Sequence, residues 1–405
     1  MNNVNIVLFS DTVYDLNGVS RFLNDFANIS KDEFKIITST RKNAFSAKKS
    51  IYNVKPFFRI SMPFYKELDL VFPNPFKMAK LLKKLSPHLV HISTPGPVGI
   101  IGSLLARFYK IPKAGIYHTD FPAYIYKNTS SKIFRYISKC YLRFFYSNFE
   151  AIFVRTQEYK SIVMNDLKID ASKIFILKSG INTKSFSPAF RDINIWNDYQ
   201  IRINSMKLLY VGRATKEKNI EFLIELFKKV YSLKLNIDLI IVGNGLFLKY
   251  KEELKKFNIH FLGIKFEKEL SSIYASSDVF IFPSTTDTLG QVVMEGMSSA
   301  LPVIVTNKGG PKEIVKASNS GFILDINDDK EWINTIEILY ENKNLYKRYS
   351  QNSVLFMKDK DIKNSFEDFC DKNKLICENS YFSSITKSKT MLFSFELIYS
   401  LHLFI

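Results

Sequence analysis

A chain of 405 residues carries 57 Lys+Arg against 39 Asp+Glu, a formal net charge of +18, with 46% hydrophobic and 24% charged residues. That balance excludes a disordered or fibrous chain and fits two to three domains with real cores. Three cysteines, Cys140, Cys370 and Cys377, are too few and too scattered for a disulfide framework or a cysteine-rich zinc site, so a reducing, cytosolic compartment is expected.

In chain order, residues 4–9 read as a short strand that opens the fold directly, with no signal segment before it. Strands follow at 34–39, 88–92, 114–117, 151–154 and 173–177, alternating with helical patterns near 19–29, 76–85, 98–109, 130–147 and 157–167. Short apolar strands with helix-length crossovers predict a parallel, doubly wound sheet. Residues 183–205 have turn chemistry and little periodicity, which marks a junction. The scheme then repeats, with strands at 207–211, 238–242, 260–262, 279–282, 303–306 and 322–324 and helical patterns near 219–232, 246–257, 267–275, 290–299, 311–316 and 328–341. The expected class is α/β, with two facing Rossmann-like domains: 1–185, a linker over 186–205, and 206–355. Residues 356–390 read as C-terminal helices. The tail 391–405 is apolar apart from Glu396; it is short for a span, and an interfacial anchor or a docking segment both remain open.

The charge is uneven. Residues 1–190 hold 28 Lys+Arg and 12 Asp+Glu, whereas 191–405 hold 29 and 27. A basic first half suits a polyanion: nucleic acid, an anionic membrane or a phosphorylated substrate. Two helical patterns there are basic and amphipathic. One covers 76–85. The other, 131–149, places Lys132, Arg135, Lys139 and Arg143 on one stripe with Ile133, Phe134, Ile137, Tyr141, Phe144 and Phe145 interleaved. Such helices lie on anionic membrane surfaces, although a core-facing helix with a solvated cationic side has the same pattern.

The second half carries the most informative run, 282–306, which reads as strand end, loop, helix, strand. Thr288, Leu289 and Gly290 bring a helix start to the loop, and a helix N-terminus suits a diphosphate. Asp287 and Glu295 bracket that anion site and are useful there as hydroxyl acceptors. A sugar nucleotide supplies both phosphates and hydroxyls. Upstream, Gly212, Arg213 and Lys218 emerge between a strand and a helix, where an arginine fork and a lysine suit a departing pyrophosphate.

These residues resemble glycosyltransferase family 4, the retaining nucleotide-sugar transferases of GT-B fold. The resemblance rests on Gly212-Arg213 with Lys218, Val242-Gly243-Asn244-Gly245, the Asp287/Glu295 pair with Gly290, and the Gly309-Gly310-Pro311 turn. The family commonly has Glu where this chain has Asp287, and Gly-Gly where it has Asn17-Gly18. The resemblance implies that Gly18, Arg213, Lys218, Gly243, Leu289, Gly290 and Glu295 hold a UDP- or GDP-linked donor. It further implies that His118, Asp287, Arg213 and Lys218 serve catalysis, without a metal or other cofactor. Asp120 and Arg21 are acceptor-side candidates. The form His118-Thr-Asp-Phe-Pro resembles the branch that glycosylates membrane lipids of the diacylglycerol or phosphatidylinositol type, which implies a peripheral protein on the cytoplasmic face. Rival readings are a transferase with a soluble or polysaccharide acceptor, a GT-B enzyme of other chemistry, and a non-catalytic basic binding protein. No RNA-binding signature is present, so nucleic acid is not an expected partner.

Overall fold

The structure is a computed structural model that describes residues 4–15, 17–41, 49–62 and 65–380. The apolar tail at 391–405, and residues 381–390 of the C-terminal helices, lie outside the described residues.

Two parallel sheets form two lobes. The first lobe contains β1 (Ile6–Ser10), β2 (Phe34–Thr38), β3 (Ile51–Asn53), β4 (Pro56–Met62), β5 (Tyr65–Pro73), β6 (Leu89–Ile92), β7 (Lys113–Ile116), β8 (Ala151–Val154) and β9 (Ile174–Ile176). Seven of these pair in the order β3-β2-β1-β6-β7-β8-β9, and β4 and β5 form a separate antiparallel hairpin. The second lobe contains β10 (Met206–Val211), β11 (Ile237–Val242), β12 (Ile259–Gly263), β13 (Val279–Phe282), β14 (Val303–Thr306) and β15 (Gly321–Leu324), in the order β12-β11-β10-β13-β14-β15. Strands such as β1, β8, β11 and β13 are buried along their whole length, because helices cover both faces of each sheet. Their apolar runs were therefore readable, and every expected strand is present to within two residues.

In each sheet the strand order reverses beside the first strand, β1 or β10. Ligands of open α/β sheets bind outside the carboxyl ends of the strands at such a point. The loops after β1 and β10 lead to Gly18 and to Gly212–Lys218, so sheet topology alone brings these segments to the cleft.

Local structure departs from expectation in several places. The edge strand β3 and the β4–β5 hairpin were not foreseen. The helix expected at 130–147 is preceded by another, Phe121–Thr129; Ser130 turns left-handed, and the Ser131 hydroxyl then caps Lys132–Tyr146 by accepting from the Phe134 N–H. The pattern at 246–257 is a broken chain of 3-10 turns around the short helix Lys251–Leu254, ended by left-handed Asn258.

The linker residues are not loose. Phe186, Ile195, Trp196 and Ile201 belong to the second-lobe core, and the Trp196 indole donates to the Ser276 carbonyl at 3.2 Å. The chain then crosses back. Residues 362–380 are helical, and Ile362, Phe366, Phe369, Ile376 and Cys377 join the core of the first lobe. Phe366 and Phe369 meet Phe26 edge-on, with ring centroids 5.1 and 5.3 Å away. The two crossings touch, because Ile181 bridges Asp361 and the Thr183 hydroxyl donates to the Asp361 carboxylate at 2.6 Å. Asp361 thus ties the crossings together. No helix among the described residues is long and apolar enough to cross a membrane.

Candidate active site

The helix Gln291–Ser298 begins at the cleft. Gly290 precedes it with φ 81°, and a Cβ there would lie 2.6 Å from Pro311 Cγ, so only glycine fits. No side chain among the described residues caps this N-terminus, which leaves its first N–H groups and the dipole's positive end for an anion. From the other lobe, Gly18 opens the helix Gly18–Ile29 after Asn17, whose side chain accepts from the Ser20 N–H. A Cβ on Gly18 would stand 3.0 Å from Gln291 Oε1, so the two helix starts confront each other. At Gly243, φ is 138° and a Cβ would lie 1.9 Å from the Gly212 carbonyl oxygen; the loops after β10 and β11 can touch only through glycine.

The carboxylates and cations form pairs. Lys218 Nζ donates to both oxygens of Asp287, at 2.8 and 2.7 Å. Burial raises the Asp287 carboxyl, but Lys218, with Ser284 and Arg213, outweighs it and holds the group below its ordinary value. Arg213 pairs with buried Glu217 at 3.1 Å. Glu295 accepts from the Tyr274 hydroxyl at 2.8 Å and from Arg21 at 2.5 Å, and burial raises its carboxyl against both. Leu289 is buried beneath the loop.

Arg21, expected on the acceptor side, therefore bridges the lobes to Glu295, with its guanidinium 5.2 Å from the Phe186 ring. The backbone carbonyl of His118 accepts from the Thr288 hydroxyl at 2.7 Å, which fixes His118 against the loop before Gly290. Burial, with neighbouring Arg155, lowers its imidazole well below the ordinary value, so it is neutral at neutral pH. Asp120 does not hydrogen-bond to His118 among the described residues. Its Oδ1 caps the helix Phe121–Thr129 through the Ala123 N–H at 3.1 Å and accepts from Tyr117 at 3.3 Å.

Sequence reasoning missed four residues here. Asp11, just after β1, accepts from the Thr94 hydroxyl and the Val98 N–H at the start of the helix Pro97–Phe108; burial lifts its carboxyl to about 6. Tyr274 shapes Glu295. Lys127 reaches across the cleft to the Glu217 carbonyl, Asn219 Oδ1 and Thr285 Oγ1 at 2.7–3.0 Å. Glu313 of the second lobe accepts from the Gln157 and Glu158 N–H groups and so caps a first-lobe helix. An acid just after a strand is a visible signal for Asp11. Lys127 and Glu313 act across 90 or more residues of sequence and leave no local trace.

Two parallel sheets meeting at their carboxyl edges, with a bare helix N-terminus and paired carboxylates between them, define a GT-B architecture. The family model for Glycosyl transferases group 1 matches residues 195–355, and that for Glycosyltransferase Family 4 matches residues 16–185. The chain belongs to this glycosyltransferase family. It is 27% identical over 294 residues to sulfoquinovosyl transferase SQD2 of Arabidopsis thaliana, covering 69% of this chain and 55% of that protein. It is 26% identical over 256 residues to alpha-monoglucosyldiacylglycerol synthase of Streptococcus pneumoniae, covering 60% of this chain and 58% of that one. The chain thus spans little more than half the length of these curated relatives. The structure of Anabaena Alr3699/HepE in complex with UDP and glucose superposes with a TM-score of 0.72 at 15% identity, over 92% of this chain and 100% of that one, a likeness of fold.

Proposed function

We propose that this chain is a retaining hexosyltransferase that moves a sugar from a UDP- or GDP-linked donor to a hydroxyl of a membrane lipid, at the cytoplasmic face. The observation that carries the reading is the uncapped helix N-terminus at Gly290, bracketed by Asp287 and Glu295, where both switch-point edges meet. The donor diphosphate sits on that helix start, with Arg213 and Lys218 beside it. Glu295 accepts from ribose hydroxyls while keeping Tyr274. Asp287 accepts from sugar hydroxyls, and neutral His118 lines the sugar. The C1–phosphate bond breaks, a bond from the acceptor oxygen to C1 forms on the same face, and the acceptor proton passes to the leaving phosphate oxygen. Arg213, Lys218 and the helix dipole stabilise the charge that develops, so we propose that no divalent metal takes part.

Support for a membrane surface comes from the helix Lys132–Tyr146. Ile133, Tyr136 and Phe144 are 71%, 70% and 78% exposed, which a core-facing helix would not allow. Phe108 and Leu104 of Pro97–Phe108, and Phe57 on the hairpin, are exposed as well. The cationic stripe is partly engaged within the protein: Lys139 pairs with Asp166 at 2.7 Å, and Arg135 lies over the Tyr126 ring. Apolar insertion therefore carries more of the binding than the sequence pattern implied. The pneumococcal relative is named for a diacylglycerol glycolipid, in keeping with such an acceptor.

The test incubates the protein with a panel of UDP- and GDP-sugars, with and without anionic vesicles, and follows nucleoside diphosphate release. Release that needs vesicles and yields a glycolipid supports the reading. Transfer only to soluble glycans moves the acceptor off the membrane, and no release from any donor overturns the reading.

A further inference from the structure

Arg155 directly follows β8, on the carboxyl edge that faces the cleft. Only 4% of its surface is exposed. Its guanidinium lies 4.6 Å from the centre of the Phe22 ring, and its Nε and Nη2 are buried with no hydrogen-bond partner among the described residues. His118 packs edge-on against the same Phe22 ring at 5.3 Å, and its Nε2 is also buried without a partner among the described residues. Burial lowers Arg155 only to about 10, so it is charged at neutral pH. The cations around it are otherwise committed: Lys218 to Asp287, Arg213 to Glu217, Arg21 to Glu295.

A buried guanidinium with no acid or carbonyl on it destabilises the ligand-free chain, and folded proteins rarely keep such a group without a use. Position says when its partner arrives. The adjacent Thr156 hydroxyl donates to the Thr288 carbonyl at 3.5 Å, and the Thr288 hydroxyl donates to the His118 carbonyl. Arg155 and His118 are thus tied to the loop that runs into the uncapped helix at Gly290, on the donor's side of the cleft.

We propose that Arg155, with His118 beside it, is a subsite for an oxyanion brought in by the donor. This rests on the transferase reading above and adds to it a ligand for a residue that the reading leaves idle. Two parts of a donor carry that chemistry: the diphosphate, and a carboxylate on the transferred sugar. The guanidinium fork takes either one bidentately, and His118 Nε2 adds a neutral donor.

The experiment compares the native chain with Arg155→Met and Arg155→Lys. Thermal unfolding is read without ligand, and affinities are measured for UDP, GDP, UDP-glucose and UDP-glucuronic acid. Arg155→Met is expected to melt about 2–4 °C higher without ligand, because an unpaired buried charge is gone. It is also expected to lose roughly tenfold or more in affinity for the ligand that bears the oxyanion, the scale of a charge-assisted hydrogen bond. Arg155→Lys keeps the charge and recovers part of that loss. Equal loss for all four ligands assigns the diphosphate, and loss confined to UDP-glucuronic acid assigns the sugar carboxylate. A ligand-free Arg155→Met that melts below the native chain marks a structural arginine and overturns the proposal, as does affinity within about twofold of native for every ligand. A native chain that binds none of the four overturns the transferase reading itself, and that result is read without any variant.

Discussion

Removing the Lys218 ammonium should cost stability as well as activity. Lys218 contacts both oxygens of Asp287 at 2.8 and 2.7 Å, and the two side chains are only 16% and 21% exposed. At that distance and an effective dielectric near 20, the gross attraction is about 6 kcal/mol, most of it offset by desolvation. Deleting one partner of a buried pair leaves the other charge stranded, at about 3–5 kcal/mol, and the residual exposure here reduces the expectation for Lys218→Met to about 2–3 kcal/mol. The assay is urea unfolding followed by tryptophan fluorescence. Both tryptophans, Trp196 and Trp332, sit in the second-lobe core, so the signal reports the lobe that holds the pair. Adding Asp287→Asn to Lys218→Met should restore most of the loss, because a neutral amide needs no counter-charge. Transfer stays down by about 100-fold or more in both variants. Since Asp287 is held below its ordinary value of 3.8, the pair's contribution is in place above that value and is lost as pH falls through the folded value; the gap between native and Lys218→Met therefore closes in acid. A single variant within about 0.5 kcal/mol of native, or a double variant no more stable than the single, refutes the reasoning.

Other outcomes follow from the same geometry. Gly290→Ala should destabilise by about 1–3 kcal/mol and abolish nucleoside diphosphate binding, since the Cβ strikes Pro311 and φ is 81°; calorimetric titration with UDP and GDP reads the second effect. Ile133→Ser combined with Phe144→Ser should cut co-sedimentation with anionic vesicles by roughly tenfold or more, with unchanged thermal unfolding, because both side chains already face solvent. Transfer should persist after exhaustive treatment with a chelator; loss that added magnesium or manganese restores would contradict the assignment of the phosphate charge to Arg213, Lys218 and the helix start.

The fold was legible because buried parallel strands write themselves as continuous apolar runs, and β8, β13 and β14 were located to the residue. The helix Phe121–Thr129 was not, since Pro122 looks like a breaker until it is seen in the first helical turn, where its missing N–H does no harm. The β4–β5 hairpin escaped for another reason: its exposed Phe57 and Phe58 break the apolar-in, polar-out alternation. At the site, Asp287, Gly290 and Glu295 were visible because one loop and one short helix carry all three. Their partners were not. Arg21 meets Glu295 across 274 residues of sequence, and Asp120 also caps its own helix through the Ala123 N–H. Nothing local marks that Arg21 will find Glu295 once two lobes close, whereas Arg213 and Glu217 pair at i,i+4.

The return of the chain to the first lobe sets an order of assembly. Phe26 and Phe34 complete their aromatic cluster only with Phe366 and Phe369, more than 330 residues later. A ribosome adding about 5–20 residues per second has finished the second lobe before it supplies them. The lobe that is made first is therefore completed last: the rings of Phe26, Phe34 and Phe153 gain their contacts with Phe366 and Phe369 only after the second lobe has been made.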